Sequence, residues 1–187
     1  MTTIIGLDLS LSATGLCVWR DGTLHAETIT TKPDECMPRR YLAITGQLWP
    51  HTASGGEPIL VIKEAPIIGQ RSGSIGLIGL HAIVDYGLWA RGIWPIVTVT
   101  NGTLKVFATG KGSASKDEVL VATVRRLESV CPVQDNNQAD ALWLLAMALA
   151  QYGRPLVPLP ASHLRALRAV KTWPEFSLDQ PSTEEAT

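Results

Sequence analysis

The sequence has few of the residues that build disulfide frameworks or zinc sites. Its three cysteines, Cys17, Cys36 and Cys131, are scattered, and none belongs to a CxxC pair. This pattern argues against a structural zinc site and a disulfide scaffold, and it predicts free thiols in a reducing cytoplasm. The four histidines are equally dispersed, and we interpret them as structural or surface residues.

Long apolar runs are also missing. The chain has no apolar run of the roughly 18 residues that a membrane-spanning helix needs. Its N-terminus, MTTIIGLDLS, lacks a basic segment followed by a long apolar one, so we expect no secretory signal and no membrane partner. With 45% hydrophobic and 18% charged residues over 187 positions, the composition is typical of one globular domain.

A basic excess, which is common in nucleic-acid-binding proteins, is absent because the net charge is −1. The local distribution of charge weakens this objection, since a phosphate responds to the local field rather than to the total charge. Positive charge is concentrated in residues 104–126, where Asp117 and Glu118 are the only acidic residues. The basic residues of this stretch are Lys105, Lys111, Lys116, Arg125 and Arg126.

Hydrophobic patterning predicts an α/β domain. β-Branched and apolar residues over 3–9 predict a buried strand, and Asp21-Gly22 predicts a hairpin turn between the next two strands. Two further strands are predicted at 59–63 and 94–99. Helices are predicted at 38–48, 74–91, 101–107 and 116–127, with a last one that ends at Ala150. This order predicts an α/β fold with a mixed five-stranded sheet flanked by helices.

The end of the chain differs in composition from the rest. We predict a domain over residues 1–152, followed by a proline-containing extension over 153–187 with one short helix and an acidic, disordered tail. Within the domain, residues 74–91 are apolar on nearly every side. They predict a long buried helix, and their apolar width would also suit a dimer contact.

Three carboxylates lie at the ends of predicted core elements. Asp8 ends the first strand, Glu64 follows the apolar run ILVIK, and Asp140 lies in the first turn of an almost wholly apolar helix. Ligands of open α/β sheets bind at the carboxyl ends of the strands. Taken singly, Asp8 also suits a turn, Glu64 a solvated strand end, and Asp135 or Asn137 a helix cap.

Carboxylates from separate segments suit a hard divalent cation such as Mg²⁺. Two such ions about 3.5–4 Å apart can serve both the attacking water and the leaving oxygen of a phosphodiester. The chain has no convincing cluster of histidine or cysteine that would suit a softer metal.

Four segments together resemble the RuvC Holliday junction resolvases, most of all those of phages and prophages. They are GLDLSLSATG at 6–15, Glu64, LKVFATGKGSASKDEV at 104–119 and DNNQADALWLLAMAL at 135–149. The resemblance covers about residues 3–150, in the family's order.

The resemblance implies an RNase H-like fold, a homodimer and a crossover junction endodeoxyribonuclease that cuts four-way DNA junctions. It implies two Mg²⁺ or Mn²⁺ ions per site, held by Asp8, Glu64 and Asp140. The family's fourth ligand, acidic or histidine, falls on Asn137, with Asp135 as an alternative. The products implied are a 5′-phosphate and a 3′-hydroxyl, and the setting is DNA recombination and repair in a bacterial or phage-infected cytoplasm.

The same resemblance, together with the basic loop, indicates DNA contacts. Two family lysines near the scissile phosphate fall on Lys105 and Lys116, and we count Lys116 among the catalytic residues. The loop TGKGSASK adds Lys111, since its glycines allow close approach to a phosphate backbone. Arg71 is a further candidate, whereas the family's aromatic wedge is replaced by Ile67.

Two other functions stay open at this point. GLDLSLSATG also resembles the phosphate-binding hairpin of actin-like and sugar-kinase ATPases, although those proteins need two such domains. A junction-binding protein without activity is the second alternative, because Asn137 departs from the family's fourth ligand.

Overall fold

In a computed structural model of the chain, residues 2–53, 55–66 and 73–178 are described, with residues 73 and 74 described through their backbone only. The strands of these ranges are β1 (Thr3–Asp8), β2 (Ala13–Arg20), β3 (Thr23–Thr30), β4 (Ile59–Glu64) and β5 (Val97–Val99). The helices are α1 (Met37–Leu48), α2 (Gly73–Trp89), α3 (Asn101–Thr109), α4 (Lys116–Leu127), α5 (Asn136–Gln151) and α6 (Ala161–Ala169). A short 3-10 helix, Trp49–Thr52, follows α1.

The five strands form one mixed sheet in the order β3-β2-β1-β4-β5. Strands β1, β2 and β3 form an antiparallel meander, and β4 and β5 run parallel to β1. The hairpin between β2 and β3 turns at Asp21 and Gly22, whose φ angles are 47° and 94°. Asp-Gly pairs favour such turns because both residues tolerate positive φ. The predicted mixed five-stranded sheet is confirmed.

Helices cover both faces of the sheet, which divides the core in two. Successive residues of a strand point to opposite faces. Ile4 accordingly packs on the side of α3, α4, α5 and α6, whereas Ile5 and Leu7 pack on the side of α1 and α2. The same alternation places Lys63 on the α2 side and Glu64 on the α5 side of β4.

Helix α5 is the central helix of the fold and lies very close to the sheet. All residues from Gln138 to Leu149 are buried. Two glycines permit this approach, since a Cβ on Gly6 would lie 2.2 Å from the carbonyl oxygen of Ala141 and one on Gly15 would lie 2.0 Å from that of Asn137. Gly15 pairs with Asp8 across β1 and β2. The start of α5 is therefore held against the end of β1.

Helix α2 is only half buried, so the prediction of a buried helix is wrong for the single chain. Leu80, Val84 and Leu88 are fully buried against the sheet. The opposite side exposes large apolar residues, among them Ile75 at 79% and Tyr86 at 69%. Apolar residues all round a helix predict burial, but one chain supplies a partner for one side only.

The segment after α5 folds back onto the domain. Helix α6 packs on α3, where the Nδ1 atom of buried His163 lies 2.8 Å from the carbonyl oxygen of Phe107. The Tyr152 hydroxyl donates to the Pro174 carbonyl at 2.7 Å. The division of the chain at residue 152 stays a prediction, and the acidic tail lies outside the described residues. None of the helices in the described ranges has the length and apolarity to cross a membrane.

Candidate active site

The three predicted carboxylates line one cleft at the edge of the sheet. Asp8 ends β1 and Glu64 ends the neighbouring parallel strand β4, with Leu7 and Lys63 paired just before them. Asp140 and Asn137 reach the same cleft from α5. The cleft has a volume of about 180 Å³. Its remaining lining residues are Leu9, Ser10, Ala65, Pro66, Leu77, His81, Asn101 and Lys116.

Burial and mutual repulsion destabilise the ionised forms of these carboxylates. Burial raises the pKa of Asp8 to about 7, with further contributions from the charges of Asp140 and Glu64. Burial and the charge of Glu64 raise the pKa of Asp140 to about 6. A carboxylate cluster of this kind gains stability from any cation that enters the cleft.

Glu64 is only 7% exposed, and its burial raises its pKa as well. The Asn101 side chain donates a hydrogen bond to Glu64, and the positive charges of Lys116 and Lys105 favour its ionised form. The same two lysines lower the pKa of Asp140. Both lysines therefore lie within electrostatic reach of the carboxylates.

Helix caps fix the start of the two helices that carry these polar residues. At α4, the Ser115 hydroxyl accepts from the Glu118 N–H at 3.1 Å, and the Glu118 carboxylate accepts from the Ser115 N–H at 2.7 Å. This capping box places Lys116 at the first position of the helix. At α3, the Thr100 side chain accepts from the Thr103 N–H, and Asn101 follows the cap directly.

The two candidates for a fourth ligand are in different environments. Asn137 lines the cleft. Asp135 is the N-cap of α5: one carboxylate oxygen accepts from the N–H groups of Asn137 and Gln138, each at 2.9 Å, and the other accepts from the Thr28 hydroxyl at 2.7 Å. Asp140 is the fifth residue of α5, so it lies just beyond the first turn in which we predicted it.

The remaining predicted DNA contacts lie elsewhere or cannot be placed. Lys111 is exposed in the loop before α4, where its ammonium group lies 3.9 Å from the Glu118 carboxylate. It lines a neighbouring cleft together with Arg125 and Arg126. Arg71 and Ile67 lie outside the described residues.

Asn101 is a cleft residue that the sequence analysis did not identify. It lies two residues beyond Val99, the end of β5, and Val99 pairs with Glu64. Polar residues after adjacent parallel strands share one edge of a sheet. The pattern VTVTN therefore contained a usable signal for Asn101.

His81 is the second residue that the sequence analysis did not single out. It is 5% exposed, lines the cleft and belongs to the buried side of α2. Its Nδ1 atom lies 3.2 Å from the Lys63 Nζ, which also forms an ion pair with Asp85 at 2.7 Å. Burial and the Lys63 charge lower the pKa of His81 to about 4. The signal was Lys63 itself, a lysine inside an apolar strand that needs buried polar partners.

The donor set fits a hard divalent cation. Within the described ranges, no group of three or more His, Cys, Asp or Glu side chains is arranged closely enough to hold a metal ion by itself. Mg²⁺ commonly binds through one or two carboxylates and completes its shell with water and substrate phosphates. An open group of carboxylate and amide oxygens at a cleft, with raised carboxylate pKa values, is compatible with that mode of binding.

Comparison with known proteins finds a relative in sequence. No family model matches the chain. The crossover junction endodeoxyribonuclease RuvC of Prochlorococcus marinus strain MIT 9211 is 29% identical over 154 residues. The match covers 80% of this chain and 94% of that protein.

Solved structures agree on the fold. T. thermophilus RuvC in complex with a Holliday junction substrate superposes with a TM-score of 0.63 at 19% identity, covering 85% of this chain and all of the RuvC chain. A second Thermus thermophilus RuvC structure gives a TM-score of 0.55 at 20% identity, covering 84% and 99%. The chain is therefore a homologue of the RuvC Holliday junction resolvases and has their RNase H-like fold.

Proposed function

We propose that this protein is a divalent-metal-dependent endonuclease that cuts four-way and other branched DNA junctions. The observation that carries the proposal is the meeting of Asp8, Glu64 and Asp140 at one cleft, with Lys116 beside them. The three residues come from two parallel strands and a helix, and their pKa values are raised. Homology to RuvC supports the same activity.

We assign the metal ligands from the donors in the cleft. Asp8, Glu64 and Asp140 would hold Mg²⁺ or Mn²⁺, two ions per site, with the amide oxygen of Asn137 as the fourth donor. Asp135 is the weaker candidate, because its carboxylate oxygens already accept hydrogen bonds from the start of α5 and from Thr28. When bound, such ions supply Lewis-acid activation of water and stabilise the leaving oxygen.

The protein's own cations and amides orient the substrate. Lys116 and Lys105 would bind the scissile phosphate, since both lie within electrostatic reach of the carboxylates. Asn101 holds Glu64 through its hydrogen bond. Attack by water on the phosphorus with departure of the 3′-oxygen leaves a 5′-phosphate and a 3′-hydroxyl. Lys111 would contact a DNA arm further from the cleft, and Arg71 remains a candidate DNA contact.

We further propose that the active form is a homodimer that uses the exposed side of α2. A four-way junction has two symmetry-related strands to cut, which calls for two sites related by a two-fold axis. The apolar surface on α2 would bury well in such an interface. Its members are Ile75, Ile78, Tyr86 and Trp89, which are between 42% and 79% exposed.

The biological setting follows from this activity. We propose a role in DNA recombination and repair, in the cytoplasm of a bacterium or a phage-infected cell.

A labelled four-way junction, incubated with the protein and Mg²⁺ or Mn²⁺, tests the proposal. We expect cuts at symmetric positions in two strands, with ends that a DNA ligase can rejoin, and no cuts in a linear duplex of the same sequence. Asp8→Asn and Asp140→Asn should abolish cleavage but keep junction binding. Asp34→Asn, an exposed carboxylate in the loop before α1, is the control and should cut normally.

The same experiment separates the alternatives. Binding without cleavage by the wild type would favour the inactive junction-binding protein. This alternative is tested because Asn137 replaces an acidic or histidine ligand in the cleft. The actin-like ATPase alternative loses support, because those proteins need two such domains. Here the match to a single RuvC chain already takes up 85% of this chain and covers all of the RuvC chain. Clear ATP binding in calorimetry would restore that alternative.

A further inference from the structure

Lys63, on the face of β4 opposite to Glu64, forms a polar trio with His81 and Asp85 of α2, in which the Asp85 side chain is 38% exposed. Lys63 is 3% exposed within an otherwise apolar strand. Its Nζ atom lies 2.7 and 2.9 Å from the two Asp85 carboxylate oxygens and 3.2 Å from the Nδ1 atom of His81. A lysine at such a position is costly to bury unless its hydrogen bonds are satisfied. The two partners on α2 satisfy them.

This arrangement determines the tautomer of His81. An ammonium group is a donor only, so the Nδ1 atom that faces Lys63 must accept. A neutral imidazole has one N–H, which then belongs to Nε2. Burial and the Lys63 charge keep the ring neutral near pH 7, because they hold the pKa of His81 at about 4.

His81 also lines the carboxylate cleft, together with Glu64 and Asp140. Lys63 and Glu64 are adjacent on β4 and face opposite sides of the sheet, so His81 connects the α2 side with the cleft. His81 therefore lines the cleft as a neutral ring whose proton the contact with Lys63 assigns to Nε2. Such a ring lacks the lone pair at Nε2 that a metal ligand needs.

We propose that His81 donates its Nε2–H to a non-bridging oxygen of the phosphate bound in the cleft, with Lys63 and Asp85 as positioning residues. This inference rests on the proposed nuclease function. A neutral donor suits the place, because it binds a phosphate oxygen without adding a cation beside the metal ligands. The ring is a binding group in this proposal and transfers no proton.

Two substitutions of His81 distinguish the proposed role from a structural one. In His81→Gln the longer amide reaches the place of Nε2 and keeps a donor in the cleft, but it leaves Lys63 without its ring partner. In His81→Asn the shorter amide reaches only the place of Nδ1, so it can pair with Lys63 but offers no donor to the cleft. Melting temperatures of both variants show whether each has folded.

We expect His81→Asn to weaken binding of a four-way junction in Ca²⁺, which serves as a non-catalytic ion, by about tenfold, since a hydrogen bond to a charged oxygen is lost. Single-turnover cleavage in Mg²⁺ should slow by at least as much. His81→Gln should remain within about threefold of the wild type in both measurements. The reverse order, or equal values for both folded variants, would overturn the proposal.

A spectroscopic measurement tests the tautomer without DNA cleavage. In ¹⁵N spectra of the metal-free protein, His81 should carry its proton on Nε2, and the resonance should shift when the junction is added in Ca²⁺. A proton on Nδ1 would refute the inference. A wild type that neither binds nor cuts the junction would instead overturn the proposed function. Normal binding and cleavage by both variants would refute the role of His81 and leave the proposed function standing.

Discussion

At the scale of single residues, Asp8 destabilises the metal-free protein when it is ionised. Its pKa rises from 3.8 to about 7 because of burial and the charges of Asp140 and Glu64. A carboxylate with a raised pKa in the folded state stabilises the fold while it is protonated. That contribution is complete below pH 3.8 and is lost as the pH rises through about 7. A bound cation would remove the repulsion at neutral pH.

Asp8→Asn should therefore abolish cleavage and yet stabilise the metal-free protein relative to the wild type at high pH. The difference in free energy of unfolding, variant minus wild type, should increase by at least about 1.4 kcal/mol between about pH 5 and about pH 8. Urea unfolding in EDTA measures it. His81, with a lowered pKa, acts in the opposite direction, but it is present in both proteins and cancels. An equal difference at both pH values would contradict the argument.

Lys116 should affect the pH dependence of cleavage as well as DNA binding. Its charge lowers the pKa of Asp8, Glu64 and Asp140, and metal binding requires the ionised carboxylates. Lys116→Ala should therefore slow cleavage and move the acidic limb of the pH–rate profile to higher pH. The slope of log affinity against log salt should also become shallower by about one, the loss of one phosphate contact.

Lys111→Ala is the matched control for this experiment. Lys111 is exposed and lines a different cleft, so it lies apart from the carboxylates. Its substitution should reduce the salt dependence of binding but leave the acidic limb unchanged. A pH–rate profile that shifts equally in both variants would mean that Lys116 does not act on the carboxylates.

At the scale of elements, the contact between α5 and β2 sets the position of Asp140. A Cβ at Gly15 would lie 2.0 Å from the Asn137 carbonyl oxygen, so the helix would have to move. Gly15→Ala should destabilise the fold by about 1–3 kcal/mol or more and reduce cleavage, because Asp140 and Asn137 move with the helix. Gly46→Ala is the control, since its Cβ would meet no atom within 4 Å apart from its own stretch of helix, and alanine favours a helix. Equal stability of the two variants in urea would contradict the prediction.

Elements with a clear local pattern were predictable from the sequence. The Asp21-Gly22 turn, the apolar run that ends at Glu64 and the amphipathic helix from Lys116 to Leu127 all occur in the structure. Each depends on turn chemistry or periodicity within a few residues. The recognised segments also led to three carboxylates that the fold brings to one cleft.

Features that depend on contacts between distant segments were not predictable in the same way. His81 gains its role from Lys63, 18 residues earlier and on another element. The cap role of Asp135 was among the alternatives, but the hydrogen bond from Thr28, 107 residues away, was not. The exposed half of α2 has the composition of a core helix, and only the packing of the sheet determines which side remains uncovered.

At the scale of the whole molecule, this uncovered side of α2 makes the oligomeric state testable. We expect the wild type to be a dimer in analytical ultracentrifugation, and Tyr86→Lys combined with Trp89→Lys to be a folded monomer. These side chains are 69% and 60% exposed in the single chain, so charges there should not disturb its core. The monomer should still nick a junction but lose paired cleavage of the two strands, since each site would act alone. Val124→Lys, at an exposed apolar position on α4, is the control and should remain a dimer. A wild type that stays monomeric in solution and on the junction would refute the dimer and would require another source for the second cut.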